Sequence, residues 1–78
     1  MDTILTKLGA NLRLLRRNAN ITQEDFANKA GLDRAYYGGV ERGERNVSVL
    51  NLQKIAKAHE LEISDLFAFD KKEGNLNG

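Results

Sequence analysis

The sequence predicts an all-α domain of five short helices, and three observations carry that expectation. The 78 residues include no proline and no cysteine. Leucine and alanine recur at steps of three and four, the spacing of one helical face. Residues that start and stop helices cut the chain into five segments. A chain this short leaves roughly 40% of its unfolded surface exposed even when folded. Its thin core must rely on tight helix packing or on a partner subunit, because no disulfide can help.

The elements follow in order. Leu5, Leu8, Leu12 and Leu15 form one apolar stripe on a first helix, with Arg13, Arg16 and Arg17 off the stripe. Asn18-Ala19-Asn20 breaks the pattern. Thr22 is placed to cap the amide of Asp25, and Glu24 and Asp25 sit at the positive end of the next helix dipole. Ile21 and Phe26 stand where a hydrophobic staple would put them. Phe26, Ala27 and Ala30 face inward, and Gly31 ends this second helix. Asp33 caps a third, which carries Tyr36, Tyr37 and Val40 and stops at Gly43. After the loop Glu44-Arg45-Asn46-Val47, Ser48 caps a fourth helix with Leu52, Ile55, Ala56 and His59 at helical spacing. Leu61 and Ile63 lead to a last turn through Leu66, Phe67 and Phe69, for which Ser64 and Asp65 are the expected caps. Residues 1–69 therefore read as one domain, and 70–78 as a flexible tail with little to bury.

Composition excludes several function classes. No apolar run approaches the ~20 residues that span a bilayer. The first segment reaches Lys7 and then Arg13, Arg16 and Arg17 before any signal-peptide core can form. Neither a membrane nor a secretory route is expected, and the cytoplasm is the expected compartment. The single histidine, His59, reads as a helix-end residue favoured by the negative dipole end. With no second histidine and no cysteine, no catalytic or metal constellation forms, and no cofactor or small-molecule effector is expected. The net charge of +1 leaves nucleic-acid binding open, since such a surface needs a basic face rather than a basic total.

The informative stretch runs from Gln23 to Arg42. Two short helices joined by a tight turn meet only where a small residue allows the crossing, and Ala27 supplies it. Gly31 permits the left-handed backbone of the turn. Leu32, Tyr37 and Val40 fill the angle between the helices. The third helix has one strong base reader in Arg34, whose guanidinium fork matches O6 and N7 of guanine. Ala35 suits a thymine methyl, and Tyr36 a sugar-phosphate strand or a base step. Thr22, Gln23 and the amides of that helix start suit a phosphate. The partner expected is double-stranded DNA. A protein-binding helix-turn-helix is the rival reading, and Arg34, Arg42 and Arg45 on one side argue against it.

These residues resemble the Cro/repressor, or XRE, family of helix-turn-helix proteins. The matching words are Thr22-Gln23-Glu24-Asp25-Phe26-Ala27, Ala30-Gly31-Leu32, Val40-Glu41-Arg42-Gly43-Glu44-Arg45-Asn46, Ile55-Ala56-Lys57-Ala58 and Ile63-Ser64-Asp65-Leu66-Phe67. The segment Gly31-Leu32-Asp33-Arg34-Ala35-Tyr36-Tyr37, with no effector domain attached, looks most like the autoregulatory controller proteins of restriction–modification systems, with a phage Cro-like repressor or an antitoxin repressor as the alternatives within the family. The resemblance implies that the third helix enters the major groove by its N-terminal end. It implies that Arg42, Arg45 and Asn46 grip the backbone or reach the minor groove. It also implies an internal ion pair between Arg16 and Glu41 and a core role for Tyr37.

Gly38 and Gly39 depart from the family, which keeps polar readers there. Each costs a helix about 1 kcal/mol relative to alanine. Either the backbone approaches DNA closely, or specificity leans on Arg34 and on DNA deformability, or the protein is a less selective reader. One such helix reads too few base pairs to find a site alone, so a homodimer on a pseudo-palindrome is expected. Leu61, Ile63, Leu66, Phe67 and Phe69 are the expected dimer interface, because they offer more apolar surface than a short helix can bury.

Overall fold

The computed structural model describes residues 3–70, and among them the chain forms helices and no strand. Helix α1 spans Thr3–Asn18, α2 Gln23–Ala30, α3 Arg34–Glu41 and α4 Val49–Ala58, and a 3-10 helix runs Ile63–Asp70 with a kink at Phe67. Apart from Asp70, which ends the 3-10 helix, the tail expected over 70–78 lies outside the described residues. Helix α1 packs on α3 and on the 3-10 helix, α2 on α3 and α4, and α4 on the 3-10 helix.

The helices start where side chains satisfy free amides. Thr22 accepts from the Asp25 amide, Asp33 from Tyr36 and Ser48 from Asn51, each at 3.1 Å. Each bond satisfies a donor that the first helical turn leaves open, which stabilises the start by about 1 kcal/mol. The last turn is capped differently from the expectation. It begins at Ile63, with Ser64 inside it, and Asp65 reaches back to accept from the Glu62 amide at 2.9 Å. That is the returning half of a capping box.

All four α-helices stop in one way. A residue in the left-handed region follows each: Asn20 (φ 58°), Gly31 (75°), Gly43 (78°) and Glu60 (60°). The next amide then bonds back across the last turn, Ile21 to Arg16, Leu32 to Ala27, Glu44 to Gly39 and Leu61 to Ala56. This Schellman closure satisfies carbonyls that the helix end would otherwise orphan.

Leu8 and Leu12 of the α1 stripe are buried, with Leu5 and Leu15 half-buried beside them. They meet Phe26, Ala27, Tyr37, Val40, Leu52, Ile55 and Leu66 in one core. Leu66 corrects an expectation. It is fully buried inside this chain, so it cannot offer a side chain to a partner. The physical cause is a long-range latch: Asn11 of α1 donates to the Leu66 carbonyl at 2.8 Å and holds the 3-10 helix against the core. Leu61, Ile63, Phe67 and Phe69 stay partly exposed around it.

His59 is a second correction. It does end α4, but its ring stacks on Phe26 at 4.5 Å, and its Nε2 is buried without a hydrogen-bond partner. Burial, followed by the neighbouring Lys29 charge, pushes its pKa below the usual histidine value. The ring therefore serves as a neutral aromatic wall, not as a cation at the dipole end.

Gly9 carries no local signal, yet it decides how closely α1 crosses α3. A Cβ there would lie 2.4 Å from the Glu41 carbonyl oxygen and 2.6 Å from that of Val40. Both are backbone atoms that cannot swing aside. Gly9→Ala is expected to destabilise the fold by about 3 kcal/mol, as over-packed cores do, and a urea melt reads the loss directly. For His59 the sign is fixed by the lowered pKa. The unfolded chain takes up the proton first, so stability is full above the ordinary value of 6.5 and falls as pH drops through the folded value. Replacing His59 with Phe is expected to flatten that part of the profile below the ordinary histidine value of 6.5.

Candidate nucleic-acid interface

The face built around α3 joins two different environments. Its body end is locked into the protein, and its leading end stands in solvent. Tyr37 and Val40 point inward and are buried against Phe26, with the Phe26 and Tyr37 rings 5.1 Å apart. Asp33, Arg34 and Ala35 at the other end are exposed. The Asp33 cap explains this geometry, because a helix started by its own side chain needs no further segment over its first turn.

The last residue of α3, Glu41, is the anchor. Its side chain is fully buried, and a buried carboxylate persists only when paired and hydrogen-bonded. Arg16 of α1 supplies a two-pronged bond, Nε to Oε2 at 2.6 Å and Nη2 to Oε1 at 3.1 Å. Gln23 of α2 donates to Oε1 at 2.9 Å, and Arg13 comes within 3.7 Å. Arg16 also donates to the Ile21 carbonyl at 2.9 Å, tying in the turn that leads to α2. One carboxylate thus joins α1, α2 and α3. Burial by itself raises the Glu41 pKa, but the bonds from Arg16 and then Gln23 outweigh it and hold it below the usual carboxylate value. The Tyr37 hydroxyl lies buried against the same pair without a hydrogen bond of acceptable geometry, and burial raises its pKa far beyond the ordinary phenol range.

The residues singled out for DNA lie as follows. Thr22 is exposed and engaged as the α2 cap. Gln23 is half-buried with its amide committed to Glu41, so it positions α2 against α3 as well as lying at a helix start. Tyr36 is half-buried, and its hydroxyl accepts from Asn51 of α4 at 3.1 Å. The Arg45 guanidinium carbon lies over the Tyr36 ring, 5.8 Å from its centre, and Arg42 pairs with Glu44 at 3.1 Å. Arg42, Arg45 and Asn46 are all exposed. Sequence reasoning missed Asn51 and Arg13. Neither had a local signal, because each acts on a residue of another helix. Among the described residues, no group of three or more His, Cys, Asp or Glu side chains could hold a metal ion. No described helix is long and apolar enough to cross a membrane.

Two short helices at a glycine turn, the second opened to solvent and flanked by arginines, define a helix-turn-helix of the nucleic-acid-reading kind. The family comparison agrees: the Helix-turn-helix family model matches residues 12–66. Control protein C.MunI of Mycoplasma sp is 40% identical over 74 residues, which are 94% of this chain and all of that protein. The crystal structure of the restriction–modification controller protein C.AhdI from Aeromonas hydrophila superposes with a TM-score of 0.79 at 51% identity, covering 81% of this chain and 96% of that one. The controller protein C.Esp1396I, solved as a tetramer in complex with its natural 35 base-pair operator, superposes with a TM-score of 0.82 at 34% identity, covering 94% and 96%. The chain belongs to the helix-turn-helix family that includes these restriction–modification control proteins.

Removing Arg16 while leaving Glu41 strands a buried charge. Arg16→Met is expected to cost about 3 kcal/mol or more in urea unfolding, and the further change Glu41→Gln should recover part of it. Because the Glu41 pKa is depressed, the pair's contribution is complete above the ordinary value of 4.5 and is lost as pH falls through the folded value. Acid titration of the parent and of the double variant checks that direction.

Proposed function

We propose that this protein is a sequence-specific DNA-binding transcription regulator, working as a homodimer on a pseudo-palindromic operator, and that it is the autoregulatory controller of a restriction–modification system. The observation that carries the reading is the exposed leading end of α3. Arg34 and Ala35 stand in solvent there while Glu41 pins the opposite end into the body. Arg34 reads guanine through its two-pronged fork, and Ala35 lies against a thymine methyl. Thr22 and Gln23 at the start of α2, and Arg42, Arg45 and Asn46 beyond the last residue of α3, flank the helix and hold phosphate. Relatives that span nearly the whole chain are control proteins, and one is known with its operator, which supports the same role.

The homodimer reading rests on the end of the fold. Leu61, Ile63, Phe67 and Phe69 remain partly exposed, and Leu66 is withdrawn from the interface for the reason given above. Leu61 and Ile63 border an open groove of about 640 Å³ between α4 and the 3-10 helix, together with Gln53, Ala56 and Lys57. An isologous contact along this edge sets two α3 helices one DNA turn apart, ~34–36 Å. With dimerisation and operator binding linked by mass action, the protein's own concentration sets its occupancy.

Selection from a pool of random duplexes tests the reading. The parent protein is expected to enrich a two-fold-related sequence and to lose affinity steeply as salt rises. Arg34→Ala is expected to relax the preference for guanine at one position per half-site, at a cost of about 1–3 kcal/mol. Enrichment of no sequence at all, or binding indifferent to salt, overturns the assignment.

A further inference from the structure

The C-terminal halves of α2 and α4 enclose a second groove, open to solvent and about 330 Å³ in volume. Lys29 of α2 and Lys54 and Lys57 of α4 form its rim, and Ala30 and Ala58 its floor. All three lysines are exposed, and both alanines are buried. No residue of α3 lines the groove, and neither does any residue assigned above to DNA. The helix dipole accounts for part of the set, since Lys29 and Lys57 lie in the last turns of their helices. Lys54 lies a turn earlier, where the dipole gives no reason for a cation. Its spacing of three from Lys57 puts both on one face of α4, opposite Lys29.

The three ammonium groups are unanswered. Among the described residues the ion pairs engage Arg13, Arg16 and Arg42, and none engages Lys29, Lys54 or Lys57. Asp25 stands four residues before Lys29, a spacing that allows a pair along a helix, yet the two do not pair. A concavity lined by one sign of charge focuses its field and draws in the opposite sign. His59, next to Ala58 in the chain, registers that field. After burial, the Lys29 charge is the second cause that lowers its pKa.

We infer that this groove is a docking site for an acidic segment of a partner protein, one with carboxylates flanking a small apolar side chain. The carboxylates answer the lysines, and the apolar side chain rests on the Ala30 and Ala58 methyl groups. A duplex backbone is the other polyanion to weigh, and the groove fits it poorly. Phosphates bring no apolar side chain for the floor to cover, and the two alanine side chains have no donor to offer a phosphate. The groove shares no residue with the DNA-reading set, so filling one does not consume the other.

The probe is a fluorescein-labelled hexapeptide of alternating glutamate and valine, with a control in which glutamine replaces every glutamate. Fluorescence anisotropy is expected to show the acidic peptide binding about ten-fold more tightly than its control. The triple variant Lys29→Gln, Lys54→Gln, Lys57→Gln should lose that advantage, since three exposed ion pairs together are worth about one decade in affinity. In amide NMR spectra of the parent, the peptide should move the Lys29, Ala30, Lys57 and Ala58 signals and leave Arg34 and Ala35 in place. It should also raise the His59 pKa toward 6.5, because a carboxylate beside Lys29 offsets that charge. The triple variant should hold any duplex within about two-fold of the parent, as distant exposed charges are screened by salt. Equal affinity for the two peptides, or shifts centred on Arg34, overturns the inference. So does a triple variant that loses about ten-fold or more on every duplex, because the lysines are then tracking phosphate. The spectra of the parent decide the matter even if the triple variant does not fold. Failure of the peptide to bind removes this inference alone, since no residue of the groove belongs to the DNA-binding reading.

Discussion

A single buried carboxylate, that of Glu41, sets the position of the helix on which everything else depends. It receives Arg16 from α1 and Gln23 from α2 while sitting at the last residue of α3. Such a pair contributes little net stability over an apolar replacement, because both charges lose their hydration. What it adds is direction. Apolar contacts around Tyr37 and Val40 tolerate small rotations of α3, whereas a two-pronged guanidinium bond accepts one orientation. The helix is therefore fixed at its rear, and its front needs no covering segment to stay in place.

A domain this small has little core to spend on that arrangement, and the remaining stability comes from how closely its helices approach and how completely their ends are satisfied. Gly9 lets α1 come into contact with the carbonyls that end α3. Four helix ends share one closure, two of them with asparagine and glutamate in a conformation that glycine adopts more easily. At Gly31 this closure turns α2 into the approach to α3, and at Gly43 it folds the loop back over α3. The same local device therefore shapes both ends of the recognition helix.

Fixing α3 in this way has a consequence for recognition. A rigid helix can present only what its sequence carries, and α3 carries two glycines where readers would stand. The cap residue Arg42 and, after Gly43, the loop residue Arg45 lie against those positions, so the outer face of α3 is covered by side chains from beyond its last residue. Asn51 extends the assembly to α4 through the Tyr36 hydroxyl. The outer surface of α3 is thus a tertiary construction, although α3 is only eight residues long.

Whatever depends on neighbours within four residues was legible in the chain alone. The caps at Thr22, Asp33 and Ser48, the stops at Gly31 and Gly43, the leucine stripe and the exposed Arg34 all belong to that group. Their chemistry is a bond or a steric preference between adjacent turns, which spacing reports directly. Features that join distant segments were not. Leu66 reads like Phe67 and Phe69 until Asn11, 55 residues away, fixes its backbone and buries it. His59 reads as a charged helix end until Phe26 meets its ring. Gly38 and Gly39 read as bare until two arginines fold over them. The sequence determined which helices form and, the start of the 3-10 turn apart, where they begin and end, since those choices are made by local hydrogen bonds. Only the tertiary structure decided which side chains share a surface, because contacts across the fold leave no periodic trace in the order of residues.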